Sequence, residues 1–499
     1  MLDQFDERLD GGFEATDERA LITRLRMSLP SDGLITGAEG RRPYECDGLS
    51  AYRRTPKLVA LPRTAEEVAE VLCACRDFGV PVVARGAGTG LSGGALPFPG
   101  AVLLALTRMD QILALDPQAR RAQVQPGVRN LAISEAAAPF GLFYAPDPSS
   151  QLACSIGGNV AENAGGVHCL KYGLTVNNIA ALKIATIDGE LLELGGATLD
   201  CPGFDLMALM TGSEGLLAVI TEVTVKLLPT PGTPRALLAA FADVRGASTA
   251  VARIIGSGIV PAGLEMMDQL AVRAAEAYAG AGYPLGAGAI LICEVDGAAE
   301  DVAEEVGAIE AICRDAGASE LRLAKDEAER ARLWAGRKGA FPAMGRLAPD
   351  YYCIDGTIPR SRLADVLEEI GRLGAAYGLA VANVFHAGDG NLHPLILYDC
   401  RNEGETERAE ALGGAILEHC VAVGGSITGE HGVGREKINQ MCAQFSPAEI
   451  EAFAAIKAAF DPQGLLNPGK LIPTLARCSE YGAMHVRAGR LPFPGLERF

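Results

Sequence analysis

Residues 80–95 read VPVVARGAGTGLSGGA. Gly88, Gly90 and Gly93 form a G-x-G-x-x-G, and Asp110 stands downstream where a nicotinamide-binding Rossmann unit carries its ribose-binding acid. In that unit the loop opens a helix whose N-terminus faces the pyrophosphate. Here LPFPG follows, with Pro97 and Pro99, and then the strand-like AVLLAL at 101–106. No room is left for the helix, so the nicotinamide reading is rejected. The loop keeps a different use. Five glycines within residues 86–94 let the backbone approach a ligand closely and turn its N–H groups toward an anion, with Arg85 at the mouth.

The flanks have ordinary patterning. In LPRTAEEVAEVLCACRDFG, residues 61–79, Thr64 and Glu67 have capping-box spacing. Val68, Val71, Leu72, Cys75 and Phe78 then share a helical face, and Gly79 ends the helix. A short strand is expected over Val80–Ala84, with others at 101–106 and 121–125. In LAVITEVTVKLL, residues 217–228, Val219, Thr221, Val223, Val225 and Leu227 alternate onto one face. PTPGTP at 229–234 is the best domain boundary. Beyond it, strands such as LLAAFAD, AILICEVDG, YYCIDGTIP and VANVFH interleave with helices at 300–316, 361–378 and 405–423, which predicts an α+β layer. The Arg-, Gly- and Pro-rich tail from about 477 reads as a docking arm or a loose end.

Two further stretches resemble the glycine loop in texture. PDPSSQLACSIGGNVAENAGG at 146–166 is dense in Gly, Ser and Asn, which suits contact with a flat heteroaromatic ring. TGSEGLLAVIT at 211–221 places another tight turn before the alternating strand. Together the three imply a large, extended, phosphate-bearing cofactor.

The chain has six histidines, at 168, 386, 393, 419, 431 and 485. VFHAGDGNLHPLILY, residues 384–398, reads as two strands joined by the turn AGDGN, so His386 and His393 stand on opposite arms near its tip. GGSITGEHGVG, residues 424–434, is a glycine-rich loop supplying Glu430 and His431. Two imidazoles and a carboxylate make a reasonable site for zinc, iron or manganese. The remaining histidines are read as structural. LWAGRKGAFPAMGR at 333–346 offers Arg337, Lys338 and Arg346 to a substrate carboxylate, with Trp334 read as packing.

The glycine loop, SIGGNVAENAGG, TGSEG and the closing LLNPGK at 465–470 resemble the vanillyl-alcohol-oxidase type of FAD-linked oxidases and dehydrogenases. The histidine motifs narrow the likeness to the branch holding glycolate oxidase flavoprotein subunits, with D-lactate and D-2-hydroxyglutarate dehydrogenases as kin. It covers the chain from about residue 40 to the end. The resemblance implies an α+β protein: a two-subdomain FAD-binding domain at 54–231, and an α+β cap with a mainly antiparallel sheet and C-terminal helices at 235–475. Residues 1–53 are then an N-terminal segment and 476–499 a tail.

The same resemblance implies the site. FAD contacts fall on Arg85, Gly86, Ala87, Gly88, Thr89, Gly90 and Ser92 of the loop, and on Pro146, Asp147, Ser149, Ser155, Gly158, Asn159, Asn163 and Gly165 of the second stretch. Glu214, Ile220 and Asn467 complete them. Thr89 stands where covalent relatives carry a flavin-bonding His, so the FAD is expected to be non-covalent. His386, His393 and Glu430 become metal ligands, His431 the base and Arg337 the clamp on the substrate carboxylate. Positions that hold a distal carboxylate in the hydroxyglutarate branch are here Phe341, Cys353 and Leu395, which favours a short acid: glycolate, then D-lactate.

The implied reaction is oxidation of glycolate to glyoxylate, with electrons leaving through a second flavin-type subunit and an iron–sulfur subunit toward quinone. Two alternatives stay open: a stand-alone D-lactate dehydrogenase, and a non-catalytic FAD-binding assembly subunit.

Composition fits this reading. A net charge of −18 repels phosphate backbones and excludes nucleic acid as a partner. No apolar run reaches the roughly 18 residues that span a bilayer, and the acidic start lacks a secretory h-region. A cytoplasmic place is expected, with attachment at the inner face of the cell membrane only through the complex. The 13 cysteines are odd in number, scattered and without a C-x-x-C, which predicts reduced thiols; Cys73 and Cys75 form a lone C-x-C with little claim on a metal.

Overall fold

The computed structural model describes residues 17–198, 203–474 and 477–478. The expected tail beyond 478 lies outside the described residues. The glycine loop leaves a small mixed sheet in which Leu58–Ala60, Val102–Ala105 and Val82–Arg85 run parallel, with Leu34–Ile35 antiparallel at the edge. The helix Ala65–Asp77 covers this sheet, burying Val68, Val71, Leu72 and Cys75. Its N-cap is Thr64, whose hydroxyl accepts from the Glu67 amide, a contact worth about 1 kcal/mol. No helix follows the loop before Val102, so the rejection of a Rossmann unit holds.

A second sheet has the strand order Ile112–Asp116, Arg121–Val124, Val219–Lys226, Ile179–Ala185, Leu191–Gly195, all antiparallel. The alternation predicted for its central strand is present: Val219, Thr221, Val223 and Val225 are all buried to 1% exposure or less.

After the proline-rich boundary, nine strands form one antiparallel sheet running from Glu320–Leu323 to Gly356–Thr357. Its central strands bury both faces. In Arg235–Phe241, Leu237, Ala239 and Phe241 enter one core while Ala236, Leu238 and Ala240 enter the other. Helices cover both sides, which explains why LLAAF and AILICEV read as continuous apolar runs.

Three expectations are corrected. Residues 17–53 are not a separate segment, because the helix Glu18–Ser28 packs on Ala65–Asp77 and Leu34–Ile35 joins the first sheet. The end of the second domain returns to the first: Leu465 O accepts from the Val82 amide, the Asn467 amide donates to Val82 O, and Leu465 and Leu466 enter the first domain's core. The cysteines are not all reduced. Cys478 is joined to Cys442 of the short helix Met441–Gln444 in a disulfide, across a separation of 36 residues that no spacing rule flags. Cys73 and Cys75 stay free thiols, Cys75 in the core and Cys73 against Asp188 O. Among the described residues no helix is long and apolar enough to cross a membrane.

Candidate functional site

A cavity of about 430 Å³ opens between the glycine loop, the helix Ile156–Glu162, the start of Val219–Lys226 and the second domain. Its floor is backbone. Gly88 has φ +73°, and a Cβ there would strike the Arg85 guanidinium, so only glycine serves. Arg85 is itself buried, with Nη1 donating to Cys46 O at 2.6 Å; burial lowers its pKa against the pull of Asp47.

Of the residues expected to contact the cofactor, Arg85, Gly86, Ala87, Gly88, Thr89 and Gly90 line the cavity. So do Ser149, Ser155, Gly158, Asn159, Glu214 and Ile220. Six others do not; they shape it from behind. Ser92 O accepts from the Arg435 and Glu436 amides, and Pro146 O from the Asn130 side chain. Asp147 is paired with His168, and Asn163 terminates the helix Ile156–Glu162 in a left-handed conformation. Gly165 packs against Glu430, and Asn467 donates to Gly94 O and Glu214 O. Their carbonyl, capping and packing contacts are tertiary, which the resemblance that placed them on the cofactor does not convey.

The histidine constellation assembles at one end of this cavity. His386 ends the strand Ala380–His386, and the turn at 387–390 returns the chain so that Asn391 pairs opposite it. His393 then sits on the other arm as predicted. The loop before Met441 brings Glu430 between the imidazoles. Its Oε1 lies 3.3 Å from His386 Nε2, 3.4 Å from His393 Nε2 and 3.9 Å from His431 Nε2. The His393 and His431 rings stack with centroids 4.8 Å apart. Three acceptors, one each from His386, His393 and Glu430, lie within 4.8 Å of one another. Both ring nitrogens of His393 are buried without a hydrogen-bond partner. A tetrahedral ion with ligand bonds of about 2.0–2.1 Å has edges of about 3.3 Å. The donor set therefore fits a divalent cation.

The charges are arranged accordingly. Burial opposes ionisation of Glu430, but the hydrogen bond and charge of His386, then His393 and His431, bring its pKa down to about 2. His431 is pulled down to about 4, chiefly by burial, which favours its neutral form. Burial alone would also depress His386, yet the Glu265 and Glu430 carboxylates hold it well above its usual range. A cation held at Nε2 would take the place of that proton.

Three residues that the sequence reading missed hold this arrangement. Asp355, fully buried, accepts from the amides of Gly429, Glu430 and His431 at 3.0, 3.2 and 2.9 Å, from Thr428 Oγ1 at 2.7 Å and from Lys437 Nζ at 3.0 Å. Burial opposes the Asp355 charge, but Lys437, His431 and His393 together keep its pKa well below the usual carboxylate range. Glu265 accepts from His386 Nδ1 at 2.6 Å. Their only trace in the sequence is a carboxylate inside a largely apolar strand segment, Glu265 in GLEMMD or Asp355 in YYCIDG, and a Lys in GREKIN.

Arg337 does not line the cavity. It is fully buried, and its Nε donates to Glu265 Oε2 at 2.8 Å. Lys338 does line it, 3.4 Å from Asp147 Oδ2, and so do Phe341 and Tyr351. Cys353 and Leu395 are buried in the second domain's core and do not reach it; of the three specificity positions only Phe341 does, edge-on to His393 at 5.7 Å. His168, read as structural, lies 2.9 Å from Asp147 and 3.7 Å from Glu294 of the second domain.

The arrangement can bind an extended cofactor along the glycine-lined floor, hold a cation at its end and place a neutral imidazole beside both. The pattern of the FAD binding domain matches residues 56–195, and that of the FAD linked oxidases, C-terminal domain, matches 230–471. Glycolate oxidase subunit GlcD of Escherichia coli K12 is 63% identical over 495 residues, covering 99% of each chain. The subunit of that name from Bacillus subtilis is 41% identical over 439 residues, covering 88% of this chain and 93% of its own. Among solved structures, p-cresol methylhydroxylase with substrate bound superposes with a TM-score of 0.76 over 91% of this chain and 96% of its own, at 17% identity, which speaks for the fold alone.

Proposed function

We propose, from the premise that this chain belongs to the family of FAD-linked oxidases, that it binds FAD and oxidises glycolate to glyoxylate. The observation that carries the reading is the convergence of His386, His393, Glu430 and His431 at the end of the glycine-lined cavity. FAD, when bound, accepts the hydride, and a divalent ion held by His386, His393 and Glu430 lowers the pKa of the substrate hydroxyl.

The chain's own residues do the rest. Arg85, the loop amides and Ser155 hold the phosphate-bearing part of the cofactor. Lys338, in the cavity wall, attracts the substrate carboxylate. Phe341 limits the pocket's length and favours a short acid. His431 Nε2 lies 3.9 Å from Glu430 Oε1, on the side of the proposed ion, so the hydroxyl proton is taken at Nε2 of the neutral imidazole. The relatives are named as subunits, which supports a complex with partner subunits; we extend this to electrons handed on through an iron–sulfur and a second flavin-type subunit toward quinone, at the inner face of the membrane.

Anaerobic titration with glycolate tests the reading. Bleaching of the flavin band by glycolate supports it, and preferential bleaching by D-lactate supports the alternative substrate. A flavin that no short hydroxy acid bleaches, even with partner subunits present, identifies an assembly subunit and overturns it.

A further inference from the structure

Glu265 carries no role in the reaction as derived so far, yet it is 1% exposed and holds two cationic groups at once. It sits in the strand Gly263–Asp268, directly opposite His386 in the antiparallel register, so the two side chains leave the sheet on one face. Oε1 faces His386 Nδ1 at 2.6 Å, while Oε2 faces Arg337 Nε at 2.8 Å and Nη2 at 2.6 Å. The helix Glu327–Lys338 delivers Arg337 to this spot with no exposed surface.

Such an arrangement is a poor source of stability. Three buried polar side chains lose their water, and a buried pair of this kind is generally no more stabilising than well-packed apolar side chains. Its geometry instead has one directional effect. A carboxylate on Nδ1 keeps a proton there, which turns the Nε2 lone pair of His386 toward Glu430 and His393. The guanidinium on Oε2 prevents the carboxylate from rotating away and supplies the counter-charge.

We propose that Glu265 is a positioning residue that fixes the tautomer and direction of His386 as a metal ligand, with Arg337 acting on the site through Glu265. This rests on the metal-binding reading of His386, His393 and Glu430. Arg337 meets Glu265 through Nε and Nη2, and its Nη1, buried without a hydrogen-bond partner, stays available to a substrate carboxylate.

The test is Zn²⁺ affinity of the FAD-loaded chain, measured by competition with a chromophoric chelator and compared with FAD content and with the glycolate concentration needed for half-reduction. His386→Ala identifies binding at this site. Glu265→Gln lowers Zn²⁺ affinity 10- to 100-fold. Because that variant leaves Arg337 buried without its partner, the double variant Glu265→Gln/Arg337→Met is made alongside; it removes both charges and shows the same loss with FAD content unchanged. Arg337→Met alone weakens Zn²⁺ in the same direction, and the double variant is no weaker than Glu265→Gln. Wild-type Zn²⁺ affinity in the double variant overturns the proposal. So does an Arg337→Met variant that needs far more glycolate while holding Zn²⁺ normally, which restores the clamp. A wild-type chain that binds no Zn²⁺ overturns the metal reading itself, whereas normal binding unaffected by these variants overturns only the role of Glu265.

Discussion

Asp355→Asn isolates the group on which the loop carrying Glu430 and His431 is built. Asp355 and Lys437 are both fully buried and 3.0 Å apart. Among the described residues the only other carboxylate paired with Lys437 is Glu436, at 3.9 Å, whose own pKa burial raises to about 8. Neutralising Asp355 therefore strands a buried ammonium, which costs about 3–5 kcal/mol. An asparagine also presents an amide N–H₂ to a ring of donors, so the three amides of residues 429–431 lose part of their acceptor. With an m-value of about 3 kcal/mol/M in urea, the unfolding midpoint of the second domain falls by about 1 to 2 M. Trp334 is the chain's only tryptophan and lies in that domain, so its fluorescence reports the transition directly. Adding Lys437→Met recovers the charge part but not the amide part. A loss below about 1 kcal/mol in Asp355→Asn would refute the reasoning, because it would mean that Lys437 was never dependent on this carboxylate.

The contact between Asp147 and His168 makes stability pH-dependent in a definite direction. Burial opposes the His168 charge, yet Asp147 and Glu294 raise its pKa to about 10; its contribution is full below pH 6.5 and is lost as pH rises from there through about 10. Asp147 is held down to about 2 by His168 and Lys338 against burial, so its contribution is present above pH 3.8 and lost as pH falls toward 2. The difference in melting temperature between wild type and His168→Gln should thus shrink between pH 6.5 and 10; a constant difference contradicts this. Gly165→Ala places a Cβ 2.7 Å from Glu430 Oε2 and 3.0 Å from Leu174, which should displace the carboxylate and cut glycolate-driven flavin reduction at least tenfold with FAD retained; full activity would show that Glu430 has room to yield. Cys442→Ser removes the closure of a 36-residue separation and should cost about 2–4 kcal/mol in the domain's urea unfolding, whereas an unchanged midpoint would show the link to be dispensable.

What was legible in the sequence was whatever depends on local chemistry. Period-two alternation gave the strand over 219–226, Thr64 gave a helix start, and the prolines at 97 and 99 excluded a Rossmann helix. The two histidine motifs were legible because hairpin geometry and glycine loops bring specific side chains to predictable ends. What was hidden depends on chain segments distant in sequence. Asp355 meets residues 428–431 only through the sheet's closing strands, Glu265 meets His386 only by strand register, and Cys478 meets Cys442 only across 36 residues of chain. The side on which Arg337 spends its guanidinium is likewise a tertiary choice: motif position gave a cation near the site, and packing aimed it at a carboxylate of the protein.

The most direct test of the central claim is rapid anaerobic mixing of glycolate with the FAD-loaded chain, wild type against His431→Ala. The account predicts that wild type bleaches while His431→Ala, with its full complement of FAD, is reduced at least a hundredfold more slowly, the scale typical of losing a general base. Equal rates of reduction in the two proteins would contradict it.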